Sequence, residues 1–78
     1  MGFTDDERQR LLAVRGVGAT VITRLEQMGY RTLQQLAGAE VDDVVAAAAQ
    51  LTGSSCWRNS PQARAAMAAA IAAARGAS

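Results

Sequence analysis

An all-α domain of five short helices is what this sequence predicts, and three observations carry the prediction. No stretch alternates apolar and polar residues over the length of a strand. Capping-box spacing, a mark of helix starts, occurs twice, at Thr4/Glu7 and at Thr32/Gln35. Glycines then follow the apolar helical stretches at Gly16, Gly29 and Gly38, where helices are expected to stop.

Taken in order, the first helix opens after Thr4. Asp5, Asp6 and Glu7 sit on its first turn, Leu11, Leu12 and Val14 form its apolar end, and it should stop near Arg15. The second opens at Ala19 with Val21, Ile22, Leu25 and Met28 on one face and Thr20, Thr23, Arg24 and Gln27 on another. A connector helix over about 32–37 carries Leu33 and Leu36. A fourth helix spans about 40–51, with Val41, Val44, Val45 and Leu51 as its buried side and Glu40, Asp42 and Asp43 crowding its start. Residues 52–59 read as a polar loop, and Ser60-Pro61 starts a last helix reaching about Arg75. These lengths suggest two helical hairpins, over about 5–28 and 40–75, with the connector leucines plugging the space between them.

Seventy-eight residues make one small domain, which buries only about 60% of its unfolded surface. Half the residues are apolar, yet eighteen of these are alanine, so bulk for a core is scarce. Without histidine, and with Cys56 as the single cysteine, there is no Cys/His metal cage, no Ser-His-Asp set and no internal disulfide. No cofactor is called for. No basic stretch followed by an apolar run marks a secretory signal, and the run Ala65–Ala74 is too short to span a bilayer. A cytoplasmic, non-enzymatic domain without a membrane partner is the expectation. The acidic groups at 5–7 and 40–43 are the carboxylates that metal or acid–base chemistry would draw on; their place in first turns favours dipole compensation.

The stretch Arg15-Gly16-Val17-Gly18-Ala19-Thr20 lies between a helix end and a helix start. Gly16 permits a sharp turn through positive φ, and Val17 can point inward to anchor it. Gly18 has no side chain to shield the main-chain N–H groups of Gly18, Ala19 and Thr20. Those donors sit at the positive end of the second helix, where a phosphate oxygen fits without reference to base identity.

From Leu11 to Ala37 the chain resembles the helix-hairpin-helix motif of DNA-binding and DNA-repair proteins. The apolar-Gly-apolar-Gly turn, the amphipathic helix after it and the run Gly29-Tyr30-Arg31-Thr32-Leu33 carry the resemblance. Within that family it is most similar to the C-terminal domain of the TfoX competence regulators and to small bacterial "pathogenicity locus" proteins. The resemblance covers about a third of the chain strongly. It implies a paired helix-hairpin-helix (SAM-like) bundle that grips the sugar-phosphate backbone across the minor groove, with Gly16, Val17 and Gly18 as the hairpin and Ala19 and Thr20 beside the phosphate. The chain departs from the family pattern in having Arg15 where proline is usual and Thr20 where lysine is frequent. Its second hairpin lacks a Gly-x-Gly turn.

Charge is unevenly spread. Residues 1–52 hold five arginines against seven carboxylates, a net of −2; from Gly53 onward three arginines meet no carboxylate, a net of +3. All eight basic residues are arginine, whose forked guanidinium suits phosphate and carboxylate alike. A pseudo-symmetric arrangement would place Arg58 near the glycine turn, so that Arg15, Thr20, Arg24, Arg58 and Arg64 make a modest basic strip. Weak, non-specific DNA binding is one expectation. The other is a protein-interaction domain or homodimer, using the alanine face of the last helix (Ala65, Ala68, Ala69, Ala72, Ala73) or the Trp57 loop. Trp57 itself reads as a core anchor or as an exposed docking residue, and Cys56 as a small buried hydrophobe.

Overall fold

The computed structural model describes residues 2–53 and 56–77, apart from the side chains of Cys56 and Ala77. The expectations for Cys56 burial and for Ser54 and Ser55 therefore fall outside the described residues. Six helices and no strand lie among them: α1 (Asp5–Leu12), α2 (Ala19–Gln27), α3 (Leu33–Ala37), α4 (Val41–Thr52), α5 (Cys56–Asn59) and α6 (Pro61–Ala77). The all-α class stands. The count of five becomes six because the expected polar loop at 52–59 coils into the four-residue α5. There Trp57, half-buried, packs against the core and gives the segment an apolar anchor.

α1 begins with a complete capping box. Thr4 Oγ1 accepts from the Glu7 N–H at 3.2 Å, and Glu7 Oε1 accepts from the Thr4 N–H at 3.1 Å. The same carboxylate reaches further, with Oε2 accepting from the Leu33 N–H at 2.8 Å. Leu33 is the first residue of α3, so one side chain satisfies donors at two helix starts. These bonds, the Leu33 amide foremost and Thr4 next, hold the Glu7 carboxyl below the ordinary carboxylate range.

α1 ends at Leu12, earlier than Arg15, because tight turns replace the helical ladder: Val14 N–H donates to the Leu11 carbonyl at 3.0 Å and Val17 N–H to that of Val14 at 3.1 Å. One consequence is that Leu11 is fully buried while Leu12 is 46% exposed. α2 turns Val21, Ile22 and Leu25 inward. It closes in a Schellman arrangement, with Gly29 at φ +99°, Tyr30 N–H on the Leu25 carbonyl at 3.1 Å and Gly29 N–H on that of Glu26 at 3.0 Å.

α3 starts with Thr32 Oγ1 accepting from the Gln35 N–H at 3.1 Å, while Gln35 reaches back to the Arg31 N–H at 2.8 Å rather than to Thr32. α4 buries Val44, Val45 and Ala48. Leu51, expected with them, is 47% exposed: it lies in the last turn of α4 and joins Met28, Ala47 and Gln50 around an open surface patch. α6 begins as Ser60-Pro61 predicts, with Ser60 Oγ accepting from the Ala63 N–H at 3.3 Å, and runs to Ala77.

α3 and α6 make the most extensive helix–helix contact in the molecule, with Leu33 and Leu36 buried. Arg75 fastens the far end: Nε donates to the Ala37 carbonyl at 3.0 Å and an Nη to that of Ala39 at 3.2 Å. Leu11, Ile22, Leu25, Leu36, Val44 and Met67 form the fully buried centre, and Ala48, Ala66, Ala70 and Ala74 let helices approach closely around it. Phe3 is also buried, held by its N–H on Glu26 Oε2 at 3.0 Å while Arg8 bridges the same carboxylate at 2.8 Å. Among the described residues no polar or charged one is buried, and no helix is long and apolar enough to cross a membrane.

Candidate functional site

The segment between α1 and α2 is short and its path is set by one glycine. The Val14 carbonyl accepts from Val17 across a four-residue turn, and Gly16, its third residue, has φ +90°. That position in a type II turn demands positive φ, which a side chain resists. Val17 is buried, so it anchors the turn to the core, while Arg15, Gly16, Gly18, Ala19 and Thr20 are exposed around it.

Gly18 is the N-cap of α2, with extended backbone (φ −110°, ψ 178°) and no side chain to close the helix end. The first helical bond runs from Ile22 N–H to the Gly18 carbonyl at 3.3 Å. Helix geometry therefore leaves the amides of Ala19, Thr20 and Val21 without an acceptor inside α2. The start of α2 also carries no acidic residue in its first turn, whereas α1 and α4 each carry acidic residues there. Its partial positive charge is not offset by its own side chains. A Cβ built at Gly16 or Gly18 would meet nothing within 4 Å, so this backbone stands open to solvent.

The arginines of the expected strip differ in exposure and partners. Arg15 is exposed at the turn itself and Arg58 is exposed on α5. Arg24 is half-buried; one Nη donates to Gln27 Oε1 at 2.8 Å and its Nε is buried without a hydrogen-bond partner among the described residues. Arg64 is engaged by Asp42 in an ion pair that joins α6 to α4. The side of the turn meets the first turns of α6, where Gln62, Ala65 and Ala66 border a groove together with Arg15 and Gly16. Sequence reasoning singled out Arg58 and Arg64 from this half of the chain and passed over Gln62. Its only sequence signal was its place directly after the Ser60-Pro61 helix start.

Chemically, the arrangement offers main-chain donors and one guanidinium to a negatively charged group on an open surface. A second polar groove runs between α1 and α3, lined by Thr4, Asp6, Glu7, Arg10, Thr32 and others. Its central carboxylate is spent on the two helix starts. Comparison of the chain with known protein families, characterised proteins and solved structures finds no match.

Proposed function

We propose that this domain is a non-sequence-specific DNA-binding accessory module, a paired helix-hairpin-helix unit that holds backbone phosphate through Gly16, Val17 and Gly18 and the start of α2. The observation that carries the reading is the bare α2 N-terminus: amides without acceptors inside α2, open space where a Cβ would stand, and exposed Arg15 in the same turn. With Arg64 paired to Asp42, few cations remain to add phosphate contacts, which favours weak binding.

A gel-shift series on random-sequence duplex at rising salt tests this. Retardation at low salt that fades as salt rises is expected, and no retardation at low salt would sink the reading. Gly18→Val is expected to abolish the shift with the fold retained, because extended φ accepts valine and its Cβ meets nothing within 4 Å. Arg15→Gln should retain the fold and reduce the log–log salt slope by about 0.9, the value for one phosphate contact.

A second reading, a protein-interaction or homodimerisation domain on the same scaffold, draws on the exposed patch of Leu51 with Met28 and Ala47 and on Ala65 and Ala72, which are exposed on α6. Light scattering after size exclusion separates the two. A dimer that Leu51→Ser converts to monomer would support this reading, and a strict monomer at all concentrations would count against self-association.

A further inference from the structure

The α1–α2 hairpin is closed at its two ends by different means. At one end the chain itself joins the helices through Gly16-Val17-Gly18. At the other a carboxylate does so. Glu26, in the last turn of α2, accepts from the Phe3 N–H at 3.0 Å and from one Arg8 Nη at 2.8 and 2.9 Å. Gly2 lies directly against the same group, where a Cβ would fall on a carboxylate oxygen.

Between those ends α1 has little apolar hold on the rest of the molecule. Of its eight residues only Leu11 is buried, against three of nine in α2 and two of five in α3. Phe3, just ahead of α1, is the other apolar anchor. The remaining ties are polar: the Glu26 clasp, and Glu7 Oε2 on the Leu33 N–H at 2.8 Å. The Arg8 side chain is 37% exposed, so water replaces its contact readily once the clasp parts. Segments with few buried apolar contacts open first, and α1 is such a segment. The other helices keep a centre of their own, with Ile22, Leu25, Leu36, Val44 and Met67 fully buried and α3 laid along α6.

The turn has the build of a hinge. Gly16 sits at φ +90° and is exposed, while buried Val17 fixes the α2 side of the turn to the core. A swing of α1 then falls on the few residues just before Val17, as hinge motions commonly do.

We propose that residues 2–13 form a hinged flap, latched by Glu26 and Glu7, which opens about the α1–α2 turn while α2 to α6 stay folded. Opening uncovers the apolar seats of Phe3 and Leu11. The flap opens in this way whatever the turn binds.

Amide hydrogen exchange on the full chain, repeated at low urea concentrations, tests it residue by residue. The helical amides of Arg8 to Ala13 are expected to exchange together, about a hundredfold faster than those of Ala48 and Ile71. Their urea dependence should be weaker, because the flap exposes less surface than the whole chain does. Val45→Ala cuts a buried side chain on α4, which has no extensive contact with α1. Open and closed forms lose that contact alike, so exchange at Ile71 should quicken about tenfold and that of Arg8 to Ala13 should not change. Glu26→Gln removes the charge that holds Arg8, and Gly2→Ala pushes the carboxylate aside without altering charge. Each should quicken Arg8 to Ala13 about fivefold. If Arg8 to Ala13 exchange at the rate of Ile71, or quicken with it in Val45→Ala, α1 opens only with the whole chain and the proposal is overturned. Unchanged α1 exchange in both Glu26→Gln and Gly2→Ala would overturn Glu26 as the latch.

Discussion

Glu7 holds two helix starts with one carboxylate, accepting from Thr4 at the head of α1 and from Leu33 at the head of α3. Because both sets of bonds favour the ionised form, the folded state lowers its pKa below the ordinary value of 4.5. A depressed pKa contributes stability that is complete above the unfolded value and is lost as pH falls through the folded one. Glu7→Gln should therefore cost stability at neutral pH and flatten the acid limb of the curve. Urea midpoints measured between about pH 2 and pH 6 check this, and an unchanged acid limb would mean that other carboxylates control it. Glu7→Ala, which removes the bonds to the Thr4 and Leu33 amides while leaving the Thr4 and Thr32 caps in place, should cost about 1–2 kcal/mol. Arg8 and Glu26 act similarly at a second joint, tying the segment around buried Phe3 to α2.

At the scale of elements, the α1–α2 turn shows two glycines with different duties. Gly16 is there for its backbone, at φ +90°, whereas Gly18 has an extended conformation open to any residue and leaves space that side chains would fill. The two should separate experimentally. Gly16→Ala is expected to destabilise the fold by about 1–2 kcal/mol, read as a lower thermal midpoint. Gly18→Val, which gives up a favoured N-cap residue but meets no strain in φ, should cost less, under about 1 kcal/mol, while removing DNA binding. Equal thermal losses for both would show that Gly18 also serves the fold. α5 makes a contrasting case: polar composition at 52–59 suggested a loop, and a half-buried Trp57 packed on the core accompanies a short helix instead.

Across the whole molecule, stability is concentrated in few large side chains. A chain of this size has on the order of 4–12 kcal/mol to lose, and removing one well-packed leucine consumes a sizeable part of it. Leu36, fully buried on the connector that packs along α6, is the sharpest test. Leu36→Ala should cost about 2–5 kcal/mol in chemical denaturation, whereas Leu12→Ala, at a half-exposed position, should cost under about 1 kcal/mol. Similar losses at both would mean that Leu12 is covered in solution by another surface.

Helix identity and most helix starts were legible along the chain, because caps, glycine stops and apolar periodicity are local properties of neighbouring residues. Thr4, Thr32 and Ser60 cap where their spacing indicates, and Gly29 closes α2. What tertiary structure alone decided is which groups meet across the chain. Leu51, although on the apolar stripe of α4, is left exposed at that helix's last turn; Arg64 turns to Asp42; Gln62 shares a groove with Arg15; and Glu7 finds Leu33. Each of these pairings joins residues far apart in sequence, and their meeting depends on how the helices pack, which the local rules that shape each helix do not encode.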